Sequence, residues 1–258
     1  MPVARYNAEL AALYMAELQK KFLPDRVWDA NAVHRSDLVF CLTKAYYRYT
    51  LHEERHSEEL LMYFLRGQVL HEMLVIGEPE VAVPWNGITM HVDDVVTMGN
   101  TVAYVEKKTT NIKFVEPPDV GYRVEVKYNK KGEVTSTKEQ GHPQWGLELA
   151  YAAAHHPEHK ANFFVLHLMG DYATRRAPMI SGPWEYTFSD EECEIAREWF
   201  AARRDILVDA MQTGVPPPVK YRMAWECNDC PFLPECAEAL SRPDATPIPI
   251  PGIFKEEE

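Results

Sequence analysis

The chain has 258 residues, 27 basic and 39 acidic, for a formal net charge of −12; 46% are hydrophobic and 26% charged. That composition belongs to a globular protein and excludes a disordered or collagen-like chain. At this length about three quarters of the unfolded surface is buried on folding, so no disulfide staple is needed. The acidity excludes a uniformly positive face, and with it indiscriminate coating of nucleic acid, but leaves room for a local basic groove.

The opening MPVARYNAEL has no apolar targeting core, and the apolar run FFVLHLM is interrupted by His167, so neither a membrane span nor a membrane partner is expected. The cysteines, Cys41, Cys193, Cys227, Cys230 and Cys236, are odd in number. They read as reduced thiols of a cytoplasmic protein, with metal ligation as the alternative to disulfides.

In chain order, residues 5–22 carry apolar positions at helical spacing and end before Pro24. Ser36 and Asp37 can cap a second helix, SDLVFCLTKAYYRYT, with Cys41 near its start. SEELLMYFLRGQVLHEMLVIG predicts a long helix stopped at Gly77 with Pro79 beyond it. The period then changes: EVAVPW, ITMHVDDVVTM and TVAYVEKKTT are strand-like runs separated by turns at Asn86-Gly87 and Gly99-Asn100. Residues 111–141 predict one or two more strands around Lys130-Lys131-Gly132, an inserted basic hairpin.

HPQWGLELAYAAAHHP follows as a helix with Pro143 in its first turn, NFFVLHLMG as a buried strand and ISGPWEYTFS as a last strand. Ser189 and Glu192 form a capping box for a helix ended by Gly214, and Pro216, Pro217 and Pro218 make a stiff linker. The order predicts an α/β or α+β layered domain without a glycine-rich phosphate loop. Its divisions are 1–50 for the N-terminal helices, 51–214 for the core, and 215–258 for a cysteine-bearing segment and tail.

Glu106 and Lys108 stand two apart on a strand, so their side chains share one face while Lys107 takes the other. A hairpin across Gly99-Asn100 brings Asp93 or Asp94 of the preceding strand beside Glu106, and Asp93 is the preferred candidate. Carboxylate oxygens converging with an ammonium suit a Mg²⁺ or Mn²⁺ site at which the lysine faces a phosphate; the bland alternative is a solvated pair of little energetic value. Gly67 and His71 share a helix face, and His71 is either a further ligand favouring Mn²⁺ or a satisfied core histidine. Gln144, Glu148 and Tyr151 fall on one side of the later helix, either as ordinary helix-face residues or as groups that position water and phosphate.

Cys227, Cys230 and Cys236 give C-x2-C-x5-C, and Cys41 can supply a fourth thiolate from the N-terminal side. An all-thiolate set favours iron–sulfur or zinc over hard cations and would join the two ends of the chain. Cys193, inside an amphipathic helix, reads as a small buried hydrophobe.

The order of these pieces, Cys41, Gly67 with His71, Asp93, Glu106 with Lys108, Gln144 and the terminal cysteine triplet, resembles the RecB-like PD-(D/E)XK nucleases with an iron–sulfur cluster. It most closely resembles the CRISPR-associated Cas-four exonuclease family. The resemblance covers roughly residues 36–240. It implies a restriction-endonuclease-like core, with a central mixed sheet flanked by helices. It also implies a [4Fe-4S] cluster, with [2Fe-2S] or Zn as lesser alternatives, on Cys41, Cys227, Cys230 and Cys236.

It further implies metal-dependent hydrolysis of DNA, preferentially single strands or ends, beside the Cas-one/Cas-two integration complex. His71, Asp93, Glu106 and the Lys107 carbonyl would bind Mg²⁺ or Mn²⁺; Lys108 would be the catalytic lysine; Gln144 and Tyr151 would position substrate. The family's Gln-x3-Tyr is here Gln-x6-Tyr, with Tyr151 seven positions after Gln144, and its Gly shortly before the Asp is absent. Lys113, Arg123, Lys127, Lys130 and Lys131 make the insertion a DNA-guiding flap or a solvated hairpin. The alternative function is a module that binds DNA ends or partner proteins without cutting.

Overall fold

The computed structural model describes residues 13, 16, 27–51, 58–110, 120, 123–128, 134–140, 142–167, 179–228, 230–248, 250 and 251. The expected first helix lies outside these residues except at Leu13 and Ala16, both helical. A short strand β1 (Val33–His34) leads into α1 (Arg35–Val39), α2 (Leu42–Leu51) and α3 (Glu58–Met73). The strands β2 (Glu78–Trp85), β3 (Ile88–Met98) and β4 (Thr101–Thr110) follow, then β5 (Arg123–Tyr128) and β6 (Val134–Gln140) as a separate antiparallel pair. Helix α4 (Pro143–Ala153), strands β7 (Lys160–His167) and β8 (Met179–Thr187), helix α5 (Asp190–Thr213), a 3₁₀ turn (Ala224–Cys227) and α6 (Leu233–Leu240) complete the order.

The main sheet runs β1-β3-β4-β7-β8, with β2 also paired to β3. Both turns follow from their residues. Asn86 and Gly87 take positive φ of 46° and 73°, the left-handed pair a two-residue hairpin favours, and Gly99 at φ 64° opens the second hairpin. β4 then pairs in parallel with β7, which needs the crossover supplied by α4, so the sheet is mixed.

Thr89 pairs with β2 and β1, and Val95 pairs with β2 and β4. Because β2 takes one edge of β3, β1 and β4 share the other, at its beginning and its end. Between them the strands part, and the polar groups of the candidate site gather at that fork.

Helix α4 reads GLELAYAA through its later turns, and Gly146 to Ala153 are all buried, as a helix apolar nearly all round must be. It packs in a core with Phe163 and Val165 of β7 and Phe200 and Leu207 of α5. The one charged residue in that run is Glu148. The capping box at Ser189 forms as its sequence predicts, and Gly214 ends α5 in the left-handed conformation.

The N-terminal helices depart from expectation. The single helix over 36–50 is two, broken at Phe40 and Cys41, and α1 begins at Arg35, so neither Ser36 nor Asp37 caps it. Asp37 is instead buried and accepts from Arg48 Nη1 at 2.7 Å and the Tyr49 hydroxyl at 2.6 Å. The break is satisfied by tertiary contacts. Arg203 of α5 donates to the Leu38 and Phe40 carbonyls, and the Cys41 amide donates to Glu226 at 2.8 Å. Strand β1 and helix α6, both short, are elements the sequence reading does not include.

Candidate functional site

At the fork, Asp93 leaves the regular ladder: its Oδ2 accepts the Lys107 amide at 2.6 Å, while Oδ1 faces His71 Nδ1 at 3.4 Å. Asp94, on the opposite face of β3, pairs with Lys107 Nζ at 3.0 Å. That ammonium also donates to the carbonyls of His71 and Leu74 at 3.4 and 3.2 Å. A cation at the C-terminal end of a helix is favourably placed, and here it fixes the end of α3 that presents His71. Gly67, one turn earlier, faces Thr109 with room for a β-carbon, so no close approach of α3 demands a glycine there.

Glu106 is buried, and its two oxygens accept from Arg35 Nη1 and Nη2 at 2.9 and 3.1 Å, a bidentate fork. Glu148 completes a quartet, 3.7 Å from Arg35 Nη2 and 3.3 Å from Lys108 Nζ, and Lys108 Nζ is 3.9 Å from Glu106. Two guanidinium or ammonium groups and two carboxylates therefore close on one another.

Burial opposes the charge on Arg35, but Glu106 and Glu148 outweigh it and raise its pKa further. Lys108 follows the same logic: burial opposes its charge, and the pull of Glu148, Glu106 and Asp93 raises its pKa, so it is an ammonium at neutral pH. Burial pushes the Glu106 carboxyl upward and Arg35 only partly offsets it. Burial opposes the charge on Asp93 as well, but the His71 hydrogen bond and Lys108 hold its pKa below the usual range. His71 is raised by its hydrogen bond to Asp93, against burial.

Gln144 is half-buried in the first turn of α4, one turn before Glu148. Tyr151 lies in the core and not on a solvent-facing site: it is 0% exposed, packed against Trp85, His155 and Phe200, and its hydroxyl has no hydrogen-bond partner among the described residues. The physical reason is that the last turns of α4 are wrapped by β2 and α5 on the side Tyr151 occupies. Arg123 and Lys127 fall on β5, whose backbone pairs with β6 from Arg123↔Gln140 to Lys127↔Ser136. Lys113, Lys130 and Lys131 lie outside the described residues.

Among the described residues, one group of ligand atoms lies close enough to hold a metal ion: His71, Glu80 and Asp93, all within 4.8 Å of one another. Glu80 was not singled out by the sequence, because a lone glutamate in a strand-like run has no distinguishing signal. Arg35 was missed too. Glu148 lies on α4 one turn after Gln144, as their spacing predicts.

A second cluster of chemistry lies where the chain ends meet. Cys41, Cys227, Cys230 and Cys236 line one pocket, together with Lys44, Val219, Arg222, Glu226, Leu233 and Leu240. Burial pushes the Cys41 thiol up to about 11 and Cys236 up to about 12, and it raises Cys230 as well. Glu226 holds the pocket's halves together, accepting the Cys41 amide at 2.8 Å and the Met223 amide at 2.6 Å. Four soft donors thus share one pocket, although no three of their sulfurs form a close-set ligand group of the kind that His71, Glu80 and Asp93 make. Cys193 is fully buried in the core at α5, apart from this pocket.

Fold and site together define an α/β protein with a central mixed sheet flanked by helices, a buried ion network at a strand fork and a pocket of cysteines. No protein-family model matches the chain, and no curated protein does. Among solved structures, one titled "Crystal structure of SSO0001" aligns with 90% of this chain and 98% of its own at 14% identity, with a TM-score of 0.49. No helix among the described residues is long and apolar enough to cross a membrane.

Proposed function

We propose that this protein is a metal-dependent DNA nuclease of the PD-(D/E)XK type, acting on single strands or ends. The observation that carries the reading is the convergence of His71, Asp93, Glu106 and Lys108 at one fork in the sheet. His71 and Asp93 would hold Mg²⁺ or Mn²⁺. The family resemblance adds Glu106 and the Lys107 carbonyl, with Glu106 sharing its charge between the ion and the Arg35 fork.

A divalent cation there would polarise the phosphodiester and make water a better nucleophile at neutral pH. Lys108, kept charged by Glu148 and Glu106, donates to a nonbridging phosphate oxygen as negative charge grows there. Hydrolysis adds water across one P–O bond, and the expected products are 5′-phosphate and 3′-hydroxyl ends.

Cys41, Cys227, Cys230 and Cys236 would hold a [4Fe-4S] cluster, with [2Fe-2S] or zinc as alternatives. Lys44 and Arg222 at the pocket would offset part of the charge of four thiolates once a cluster draws off their protons. Residues 107–138 carry eight basic and four acidic side chains, so DNA contact would be concentrated on that part of the chain and weaken with salt. The resemblance further suggests work beside a CRISPR integration complex.

The second reading, a module that binds DNA ends without cutting, is favoured by one observation: both Glu106 oxygens are already engaged by Arg35. Anaerobic purification followed by incubation with Mn²⁺ and single strands labelled at either end separates the two. Shortened products that vanish with a chelator support the nuclease; metal-independent binding with intact strands supports the module.

A further inference from the structure

We infer that Glu80, and not Glu106, is the carboxylate that completes a divalent-cation site with His71 and Asp93. This deepens the nuclease reading, on which its catalytic meaning rests, but it departs from the ligand set that the family resemblance implies. Charge comes first. Glu106 and Glu148 are matched by Arg35 and Lys108, and Asp94 is matched by Lys107. Asp93 and Glu80 then stand beside a histidine with two negative charges that no permanent cation within the group matches, the complement of one divalent ion.

Spacing agrees. Ligands about 2.1–2.4 Å from a hard cation lie about 3.0–3.4 Å apart when adjacent and about 4.2–4.8 Å apart when opposite. His71 Nδ1 and Asp93 Oδ1 are 3.4 Å apart, and no ligand pair in the trio exceeds 4.8 Å. Each Glu106 oxygen already accepts a charge-assisted hydrogen bond from Arg35 in a buried setting, so Glu106 has less negative charge to offer the same ion. An imidazole in the set favours Mn²⁺ over Mg²⁺ or Ca²⁺.

The backbone at Glu80 is consistent with a residue held for a purpose. Its φ is 53°, inside β2 and opposite the stretch of β3 that carries Asp93, between the pairs Pro79↔Asp94 and Val81↔Val92. The other non-glycine residues with positive φ among those described, Asn86 and His159, sit in a turn and a bend that account for them. A left-handed glutamate inside a strand is strained, and such outliers gather at ligand sites.

The test is Mn²⁺ titration by calorimetry on the full-length protein in the absence of DNA, for wild type, Glu80→Gln, Glu106→Gln and Glu78→Gln. The expected result is Mn²⁺ affinity about tenfold or more weaker in Glu80→Gln and within about threefold of wild type in the other two. Glu80 is exposed, so its substitution should leave the thermal melt in place. Glu80→Gly, which accepts the left-handed backbone without strain, should lose affinity to the same degree.

The inference is overturned if Glu106→Gln abolishes binding while Glu80→Gln does not, if Glu78→Gln weakens binding as much as Glu80→Gln, or if wild type binds no Mn²⁺. Because DNA is absent, the two readings fail separately. Glu80-dependent Mn²⁺ binding in a protein that leaves DNA intact keeps this inference and removes the nuclease; metal-dependent cleavage indifferent to Glu80 does the reverse.

Discussion

The strand fork and the cysteine pocket are built on opposite principles. At the fork, charged groups already satisfy one another: Arg35, Glu106, Lys108 and Glu148 form a closed quartet whose members come from α1, β4 and α4. In the pocket, Cys41 from the break between α1 and α2 meets three cysteines from the C-terminal segment, and none is bonded to another. The fork is therefore held by ion pairs among its own side chains, whereas the pocket is held from outside its thiols, by Glu226 on the Cys41 amide and by the Leu42 amide and Thr43 hydroxyl on the Tyr221 and Pro217 carbonyls. What ties them together is α1, which presents Arg35 to the fork at its first residue and leads directly into Cys41.

The largest effect should come from the lysine that faces the proposed phosphate. Lys108→Ala is expected to lower single-turnover cleavage by about a thousandfold, about 4 kcal/mol of barrier, while leaving Mn²⁺ affinity within a few-fold. Undiminished cleavage would separate the fork from the chemistry. Next is Arg35→Met, which strands Glu106 in a buried position and should destabilise the fold by about 3–5 kcal/mol in urea unfolding. Pairing it with Glu106→Gln should recover a large part of that loss; additive losses would mean that the quartet is not coupled.

In the pocket, Cys230→Ala is expected to cut bound iron or zinc about tenfold by elemental analysis and to lower the melting temperature, while Cys193→Ala leaves metal content unchanged. If the wild-type protein carries iron, it should absorb near 400 nm and lose that absorbance in Cys230→Ala. Glu226→Ala should cost about 1–3 kcal/mol by leaving two amides without their acceptor, and Glu226→Gln less, because an amide oxygen can still accept one of them. Smallest is Ser189→Ala at the start of α5, away from both regions, worth about 1 kcal/mol of helix capping with no change in metal content.

The two regions also differ in how far they could be read from sequence. The thiol set was legible because cysteine has few other roles in such a chain and C-x2-C-x5-C is a short local pattern. Asp93, Glu106 and Lys108 were legible as a strand pattern, since period-two alternation and the Gly99-Asn100 turn determine which residues share a face. Arg35 was not, because a single charged residue far away in sequence reaches the fork through tertiary placement alone; Glu80 falls opposite Asp93 in the register of the Asn86-Gly87 hairpin, but a lone glutamate there carries no signal of its own. The helix break at Cys41 was hidden for a similar reason: the carbonyls it exposes are satisfied by Arg203, 162 positions on from Cys41. Tyr151 went the other way, because helical spacing could place it on a side of α4 but could not tell that the side is covered.

The account's central claim is that the strand fork cuts DNA with a divalent cation. The most direct measurement compares wild type with Asp93→Asn on end-labelled single-stranded DNA in Mn²⁺. Mn²⁺-dependent shortening by wild type, with 5′-phosphate ends, and intact strands with Asp93→Asn are the predicted result. Equal cleavage by both proteins, or intact strands with wild type in both Mn²⁺ and Mg²⁺, would contradict it.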